Sequence, residues 1–270
     1  MVHEILRVHF QVDPDWLTLI HRYRDQESLP SARAILGLII RNSEIAAQDH
    51  LPLCQDTGTA VFDLEIGQEL RLDHGDWETI LNQAVEEAYR IGYLRRSIVS
   101  DPFRRINTGD NTPAIIHTHL IPGKTLTIRY CAKGGGAENK SRIKMFNPTA
   151  QPDNIKDFLV ETIRLAGGEA CPPLMVGVGL GGNFETAPLL AKKALFRPLL
   201  SEHPDPFYRH LETEWLEALN QSGVGVQGLG GSTSVLRLFI MAAPCHIASL
   251  PVAVNLNCHS HRQFSLQWPE

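Results

Sequence analysis

Residues 171–186 read CPPLMVGVGLGGNFET, and this stretch decides how the chain is organised. An apolar run after Cys171 alternates with glycines, and the alanine- and leucine-rich residues 187–195 that follow have helical composition and periodicity. This order predicts a buried strand, a glycine turn and then a helix that begins with free backbone N–H groups. Two interpretations follow: the turn cradles a small anion or cofactor, or its glycines only allow tight packing. A nucleotide-binding Rossmann unit is disfavoured because no clear ribose-binding acidic residue follows.

Composition describes an ordinary globular protein. The sequence has 270 residues, of which 43% are hydrophobic and 20% charged, enough for a sizeable core. Its net charge of -5 argues against a nucleic-acid partner. The N-terminal MVHEILRVHF lacks the features of a secretory signal, and no apolar run is long enough to span a bilayer, so we expect a cytoplasmic protein without membrane contact. Without a repeat or linker, we expect one domain over residues 1–270.

Hydrophobic periodicity predicts an α/β fold. Helices are expected over residues 12–50 with a break near Ser31, and over 76–93, 153–166, 187–195 and 206–222. Strands are expected over residues 60–66, 114–117, 125–130, 174–176, 234–242 and 252–256. In the helix over 76–93, Asp76 is the expected N-cap, and Ile80, Ala84, Val85, Ala88 and Ile91 are the expected buried face.

Two loops concentrate polar groups. Residues 51–59, LPLCQDTGT, place Cys54, Gln55 and Asp56 consecutively before a predicted strand, although Cys54 could be a buried apolar residue and Asp56 a turn former. Residues 131–141, CAKGGGAENKS, contain Gly134, Gly135 and Gly136 between two lysines. Three glycines in a row permit a ligand to lie against the main chain, or they form only a flexible loop.

The five cysteines do not suggest a disulfide framework in a chain of this size. Cys54, Cys171 and Cys258 each lie at a strand end beside proline, amide or histidine residues. Three thiolates could bind a structural zinc together with His259, or a [4Fe-4S] cluster with one iron left open. The lack of a Cys-x-x-Cys pair disfavours zinc. An open iron beside arginines, lysines and backbone N–H groups suits a dicarboxylate and suggests a hydro-lyase.

Several multi-residue segments occur together from about Leu51 to His259. They are LPLCQDTGT, GYLRRS, NTGDNTPA, KGGGAENKS, CPPLMVGVGLGGNFE, LLAKKAL, QGLGG and HIASLPVAVNLNCH. In this order the chain resembles the alpha subunit, or N-terminal catalytic domain, of the iron–sulfur-dependent class I fumarate hydratase and tartrate dehydratase family.

The resemblance implies a set of site residues. It implies that the cluster ligands are Cys54, Cys171 and Cys258, that Gln55 and Asp56 are catalytic and contact substrate, and that substrate is also bound by Arg95, Gly134, Gly135 and Gly136. Arg96, Arg104 and Arg105 are close alternatives to Arg95 in the sequence. Cys131 and Cys245 are assigned to packing. The implied architecture is a mixed sheet with flanking helices, in which the cysteine loops converge on a cluster site at one edge.

The resemblance also implies a partner and a reaction. Single-chain members carry a second domain with the catalytic base, whereas this sequence ends at Glu270. We therefore expect a separate beta subunit, an α2β2 assembly and little turnover by this chain alone. The implied reaction is reversible hydration of fumarate to L-malate, with the open iron as Lewis acid. L-Tartrate dehydration is the alternative for the same C4 dicarboxylate frame, and a non-catalytic cluster-binding regulator is the alternative from another class.

Overall fold

A computed structural model describes residues 1–268. Its contacts divide the chain into two compact units, each assembled from separate stretches. The first unit contains residues 1–12, 42–135 and those from 260 on, and the second contains residues 13–41 and 136–259. The single domain over 1–270 stays a prediction, and its residues 269 and 270 lie outside the described part of the chain.

Helices and strands are interspersed along the chain, which confirms the α/β class. The helices are α1 Val2–Phe10, α2 Pro14–Gln26, α3 Pro30–Asp49, α4 Trp77–Ile91, α5 Gly135–Glu138, α6 Pro152–Ala166, α7 Thr186–Ala194 and α8 Pro206–Asn220. The strands are β1 Thr59–Gly67, β2 Ile115–Ile121, β3 Leu126–Lys133, β4 Arg142–Phe146, β5 Leu174–Gly182, β6 Val235–Cys245, β7 Leu250–Asn257 and β8 Gln263–Trp268. None of the helices described over residues 1–268 is long and apolar enough to cross a bilayer.

The first unit contains a mixed sheet with the strand order β2-β1-β3-β8. Strands β1 and β2 are parallel, and the other two pairs are antiparallel. Side chains of α1 and α4 form one apolar core with this sheet, and Phe62 and Tyr130 lie fully buried within it. Because Thr59 pairs with Lys133, the loop that enters β1 and the loop that leaves β3 lie next to each other at the same end of these two central strands.

The second unit contains another mixed sheet, with the order β4-β7-β5-β6. Strand β5 is parallel to β6 and antiparallel to β7, so it lies inside the sheet. Its apolar side chains share a core with α6 and α8, in which Trp215 is only 1% exposed. The sequence predicted one mixed sheet with flanking helices, and the chain forms two.

Most predicted elements are confirmed with shifts at their ends, but β5 runs on to Gly182, so the expected glycine turn is wrong, and four elements are missing from the prediction. Helix α1, the one-turn α5 and strands β4 and β8 are short, and β4 and β8 lie at sheet edges. The buried face of α4 is also partly wrong, because Ile80 and Ile91 are 37% and 42% exposed. Leu81 and Tyr89 are buried instead and continue the stripe of Ala84, Val85 and Ala88 at helical spacing. Asp76 caps the helix as expected.

Candidate active site

The glycines of β5 are packing positions. A Cβ atom added at Gly177 would lie 2.0 Å from the carbonyl oxygen of Ala191, and one at Gly179 would lie 2.1 Å from that of Ala187. Both oxygens belong to the backbone of α7. The helix therefore lies directly on the strand, at a distance that any side chain would prevent. Of the two interpretations of this stretch, tight packing is confirmed.

The start of α7 has its own capping group. The side-chain oxygen of Asn183 accepts hydrogen bonds from the backbone N–H groups of Glu185 at 3.0 Å and Thr186 at 2.8 Å. The carbonyl oxygen of Asn183 accepts from the N–H of Ala187 at 3.1 Å. The first amides of the helix are thus bonded within the chain, and the prediction that they are free for an anion is wrong.

Cys171 and Cys258 come together in the second unit. Cys171 has left-handed backbone angles, φ 56° and ψ 61°, at the residue that precedes the two prolines. Its carbonyl oxygen accepts hydrogen bonds from the backbone N–H and the Nδ1 of His259, at 3.5 and 3.0 Å. Because His259 directly follows Cys258, these bonds fasten the two cysteine loops to each other.

Two residues that the sequence analysis assigned no role brace this pair of loops. The indole N–H of Trp16 donates to the carbonyl oxygen of His259 at 2.6 Å. The backbone N–H and side-chain Nε2 of Gln227 both donate to the carbonyl oxygen of Pro172, at 2.9 and 2.6 Å. The QGLGG segment carried a signal for Gln227, since it belongs to the motifs of the resemblance. We find no sequence signal for Trp16.

Cys54, Gln55 and Asp56 lie in the first unit. The thiol of Cys54 donates to the amide oxygen of Gln55 at 3.4 Å. Asp56 is half-buried, and its two carboxylate oxygens accept from different loops: Oδ1 from the N–H of Gly58 at 3.0 Å and Oδ2 from the N–H of Gly135 at 2.7 Å. The carboxylate therefore ties the loop that carries Cys54 to the glycine loop at the end of β3.

Arg95 is attached to the same loop. The hydroxyl of Thr57 donates to the carbonyl oxygen of Arg95 at 2.5 Å, which fixes the backbone of this exposed arginine beside the residue that follows Asp56. Arg104 and Arg105 lie instead in a separate turn whose backbone N–H groups bond to Asp101. Arg96 follows Arg95 directly and accepts at its own carbonyl oxygen from the side chain of Asn107, so the choice of Arg95 among these arginines stays a prediction.

The three loop glycines have different surroundings. The Cβ position of Gly134 would lie 3.1 Å from Oδ2 of Asp56, and that of Gly135 would lie 3.8 Å from the same atom. A Cβ at Gly136 would instead lie 2.8 Å from the carbonyl oxygen of Glu169 in the second unit. Gly134 and Gly135 thus border the Asp56 carboxylate, whereas Gly136 allows close backbone packing.

Buried charged and titratable side chains cluster at this end of the first sheet. Lys133 and Arg262 are each 2% exposed. Burial, and then the charge of Lys133, lowers the pKa of His261 to about 3. Burial, and then the charge of Arg262, holds the pKa of His9 well below its ordinary value. Burial raises the pKa of Tyr89 to about 12, although the charge of Arg262 opposes that shift. Neither histidine, nor Arg262, carries a signal in the sequence.

The donor chemistry fits an iron–sulfur cluster. Within residues 1–268 all five cysteines are thiols, and thiolates are the usual ligands of such clusters. Cys54 and Cys171 are half-buried, and Cys258 is 8% exposed. No group of three or more His, Cys, Asp or Glu side chains in the described part of the chain is arranged to hold a metal ion. The packing assignment is confirmed for the buried Cys131 and is wrong for Cys245, which is exposed.

Comparisons with known proteins agree on one family. The model of the fumarate hydratase (Fumerase) family matches residues 1–267. A Methanocaldococcus jannaschii protein named "Putative L(+)-tartrate dehydratase subunit alpha" is 38% identical over 245 residues, which are 88% of this chain and 85% of the relative. The L(+)-tartrate dehydratase subunits alpha of Escherichia coli UTI89 and K12 are each 34% identical and cover 94% and 93% of this chain and 84% of their own.

The match over almost the whole chain identifies the class of protein: it is a hydro-lyase. The chain belongs to the fumarate hydratase family.

Proposed function

We propose that this chain is the alpha subunit of a hydro-lyase that acts on a C4 dicarboxylate, with the hydration of fumarate to L-malate as its main reaction. The observation that carries the proposal is the match of the fumarate hydratase family over residues 1–267. The chain also has the polar residues that the resemblance implies, Gln55, Asp56 and Arg95. The Asp56 carboxylate connects the loop of Cys54 to the glycine loop after β3. A regulator without catalytic activity would need neither Gln55 nor Arg95.

We propose Cys54, Cys171 and Cys258 as the ligands of a [4Fe-4S] cluster. Three thiols are the number that leaves one iron of such a cluster open, and when bound the cluster would supply Lewis-acid chemistry. The hydrogen bonds of His259 to the carbonyl oxygen of Cys171 support the assignment, because they hold two of the three cysteine loops together within the chain itself.

The remaining site residues are proposed to bind and orient the substrate. Gln55 and Asp56 follow a proposed ligand directly, and the carboxylate of Asp56 is held from both sides by backbone N–H groups. Held in this way, it can accept or return a proton at a fixed position. Arg95 supplies a positive charge for a substrate carboxylate. Gly134, Gly135 and Gly136 are assigned backbone contacts with the substrate.

The partner is proposed to be a beta subunit that carries the base and further cationic groups. The curated relatives in the comparison are named as alpha subunits, which supports a partner of this kind. We propose an α2β2 assembly in the cytoplasm. In that assembly the beta subunit takes the proton from the carbon next to the one that bears the hydroxyl group.

Dehydration of L-tartrate is the second candidate reaction. The observation that favours it is the name shared by the relatives at 34% and 38% identity, L(+)-tartrate dehydratase subunit alpha. Tartrate carries one hydroxyl more than malate on the same carbon frame. A site that hydrogen-bonds this hydroxyl would discriminate strongly against the substrate that lacks it.

Kinetics of the assembled pair test the proposal. The chain would be co-produced with a beta-type subunit of the family, reconstituted anaerobically with iron and sulfide, and assayed for kcat/KM on fumarate and on L-tartrate. We expect turnover of one dicarboxylate at least 100-fold above the chain alone. We also expect a loss of at least 10-fold in Arg95→Met and little change in the matched control Arg104→Met. Failure to convert either substrate with a full iron content would overturn the proposal.

A further inference from the structure

Arg262 is a buried cation whose guanidinium has no hydrogen-bond partner in the described part of the chain. The residue is 2% exposed, and Nε, NH1 and NH2 all lack a partner there. Burying an unpaired charge is costly, so such residues usually face an opposite charge or a functional group. Arg262 lies directly before β8, where its carbonyl oxygen accepts from the N–H of Ala132 in β3. Its backbone is therefore fixed by the sheet.

The guanidinium faces the Asp56 carboxylate across Gly134. A Cβ atom at Gly134 would lie 3.1 Å from Oδ2 of Asp56 and 3.8 Å from NH2 of Arg262, and these two groups are its nearest neighbours. The glycine thus leaves the space between a carboxylate and a guanidinium clear of side-chain atoms. Tyr89 lies close enough to both groups for their charges to shift its pKa in opposite directions, with burial as the larger cause of the shift.

Asp56 is a carboxylate close to Arg262, and the other titratable groups around that arginine are cationic or are neutral histidines and a tyrosine. Lys133, which directly precedes Gly134, is also buried, and its charge acts on His261. The imidazole of His9 stays neutral next to Arg262, because burial and that charge both lower its pKa. Asp56 lies on the other side of Gly134 from Arg262, and its two oxygens accept from the N–H groups of Gly58 and Gly135.

We propose that Arg262 is a positioning residue for Asp56: its charge, held behind Gly134, keeps the carboxylate oriented toward the N–H groups of Gly58 and Gly135. The attraction acts without a direct hydrogen bond, between a buried guanidinium and a half-buried carboxylate, where charges are screened less than in open water. The expected effect on turnover rests on the proposed function, since it takes Asp56 as a catalytic residue. The expected weakening of the hydrogen bond between Gly135 and Asp56 is independent of the proposed function.

Hydrogen exchange of the Gly135 amide, measured by NMR, reads the proposed contact directly. In Arg262→Met we expect this amide and that of Gly58 to exchange at least 10-fold faster than in the wild type, because the carboxylate is no longer held. In Arg262→Lys, which keeps the charge, we expect less than a 3-fold change. Arg237→Met is the matched control: it removes a half-buried arginine that donates to the carbonyl of Ser201 in the second unit. It should leave both amides unchanged.

A double-mutant cycle separates positioning from a general structural effect. In the Asp56→Asn background, Arg262→Met should add less than a 2-fold change to Gly135 exchange, because the two groups act as one unit. Independent, multiplicative effects would overturn the inference, as would an unchanged Gly135 amide in Arg262→Met. If Arg262→Met does not fold, Gly134→Ala decides: its methyl group enters the space between the two charges and should also speed Gly135 exchange at least 10-fold. An unchanged exchange rate of the Gly135 amide in Gly134→Ala would also overturn the inference.

Activity and iron content of the assembled enzyme complete the test. Arg262→Met should retain the wild-type iron content while kcat falls at least 10-fold with KM changed less than 3-fold, since the substrate carboxylates are bound elsewhere. If the wild-type pair converts neither fumarate nor tartrate, the proposed function fails. The exchange cycle still decides whether Arg262 positions Asp56.

Discussion

Two glycine-rich segments of this chain look alike in the sequence and do different things in the structure. In β5, Gly177 and Gly179 lie beneath the backbone of α7, and the nearest atoms to their missing Cβ positions are carbonyl oxygens at 2.0 and 2.1 Å. At the end of β3, Gly134 lies beside a carboxylate and a guanidinium, and its nearest neighbour is 3.1 Å away. The first segment lets a helix pack directly on a strand. The second lies between the charged side chains of Asp56 and Arg262.

The difference lies in what faces each glycine. Carbonyl oxygens of a packed helix cannot move without moving the helix, whereas the end of an aspartate side chain can rotate. A substitution in β5 should therefore act on folding, and a substitution around Gly134 should act on the site.

Gly177→Ala should destabilise the second unit by about 3 kcal/mol or more, because its methyl group would overlap the backbone of α7. Urea unfolding followed by circular dichroism measures the loss. Gly37→Ala in α3 is the matched control: no atom lies within 4 Å of that Cβ position, so the helix should gain about 0.5–1 kcal/mol. Equal effects of the two substitutions would contradict the packing role of Gly177.

Asp56→Ala should cost about 2 kcal/mol, since two backbone N–H groups lose a charged acceptor and water can replace it only in part. The same unfolding assay measures the loss. Asp56→Asn should be milder, because it keeps one oxygen as an acceptor. A stability equal to that of the wild type in Asp56→Ala would mean that the two loops are held together by other contacts.

Acid should destabilise the first unit through its buried histidines. Burial keeps His9 and His261 neutral when folded, with pKa values below the ordinary 6.5. Below pH 6.5 the unfolded chain therefore binds more protons than the folded chain. Stability is full above pH 6.5 and is lost as the pH falls, by about 1.4 kcal/mol per pH unit for each histidine, down to pH about 3 for His261.

Unfolding at pH 7, 6 and 5 measures this slope. His9→Gln and His261→Gln should each make it shallower, whatever they do to stability at pH 7. His74→Gln is the control, because it makes the same substitution at an exposed surface position. A slope that survives both buried substitutions would assign the acid sensitivity to other groups.

Gln227→Ala should have the smallest effect, about 1 kcal/mol, from the loss of the side-chain hydrogen bond to Pro172. Gln227 has a positive φ of 53°, so Gln227→Gly removes the same bond but relieves the backbone. We expect the glycine variant to be the more stable of the two by thermal unfolding. The reverse order would show that the side chain does more than brace Pro172.

Much of the fold was predictable because its long elements carry clear periodicity. Helices α2, α3, α6 and α8 and strands β1 and β5 follow from apolar spacing alone. Strands β4 and β8 were not found, because each is short and half polar and is stabilised by pairing with a strand far away in the sequence. The division of the strands into two sheets depends on the same long-range pairing.

The sequence selected candidate site residues but did not show the contacts between them. Residue chemistry and the family resemblance selected Cys54, Asp56 and Arg95, and the hydrogen bonds of Asp56 and Thr57 link their loop segments in one unit. Arg262 was missed because its importance comes from burial beside Gly134, which sequence does not report. The β5 glycines were overvalued for the same reason, since only the structure shows the helix that covers them.

The most direct test of the account is the iron and acid-labile sulfide content after anaerobic reconstitution. It should be measured on the wild type, on Cys54→Ser, Cys171→Ser and Cys258→Ser, and on Cys245→Ser as an exposed control. We predict close to four irons and four sulfides per chain, with a broad visible absorption, in the wild type and the control. We predict a loss of most of both in each of the other three variants. A wild type without iron, or an iron content unaffected by those three substitutions, would contradict the cluster assignment and the mechanism that depends on it.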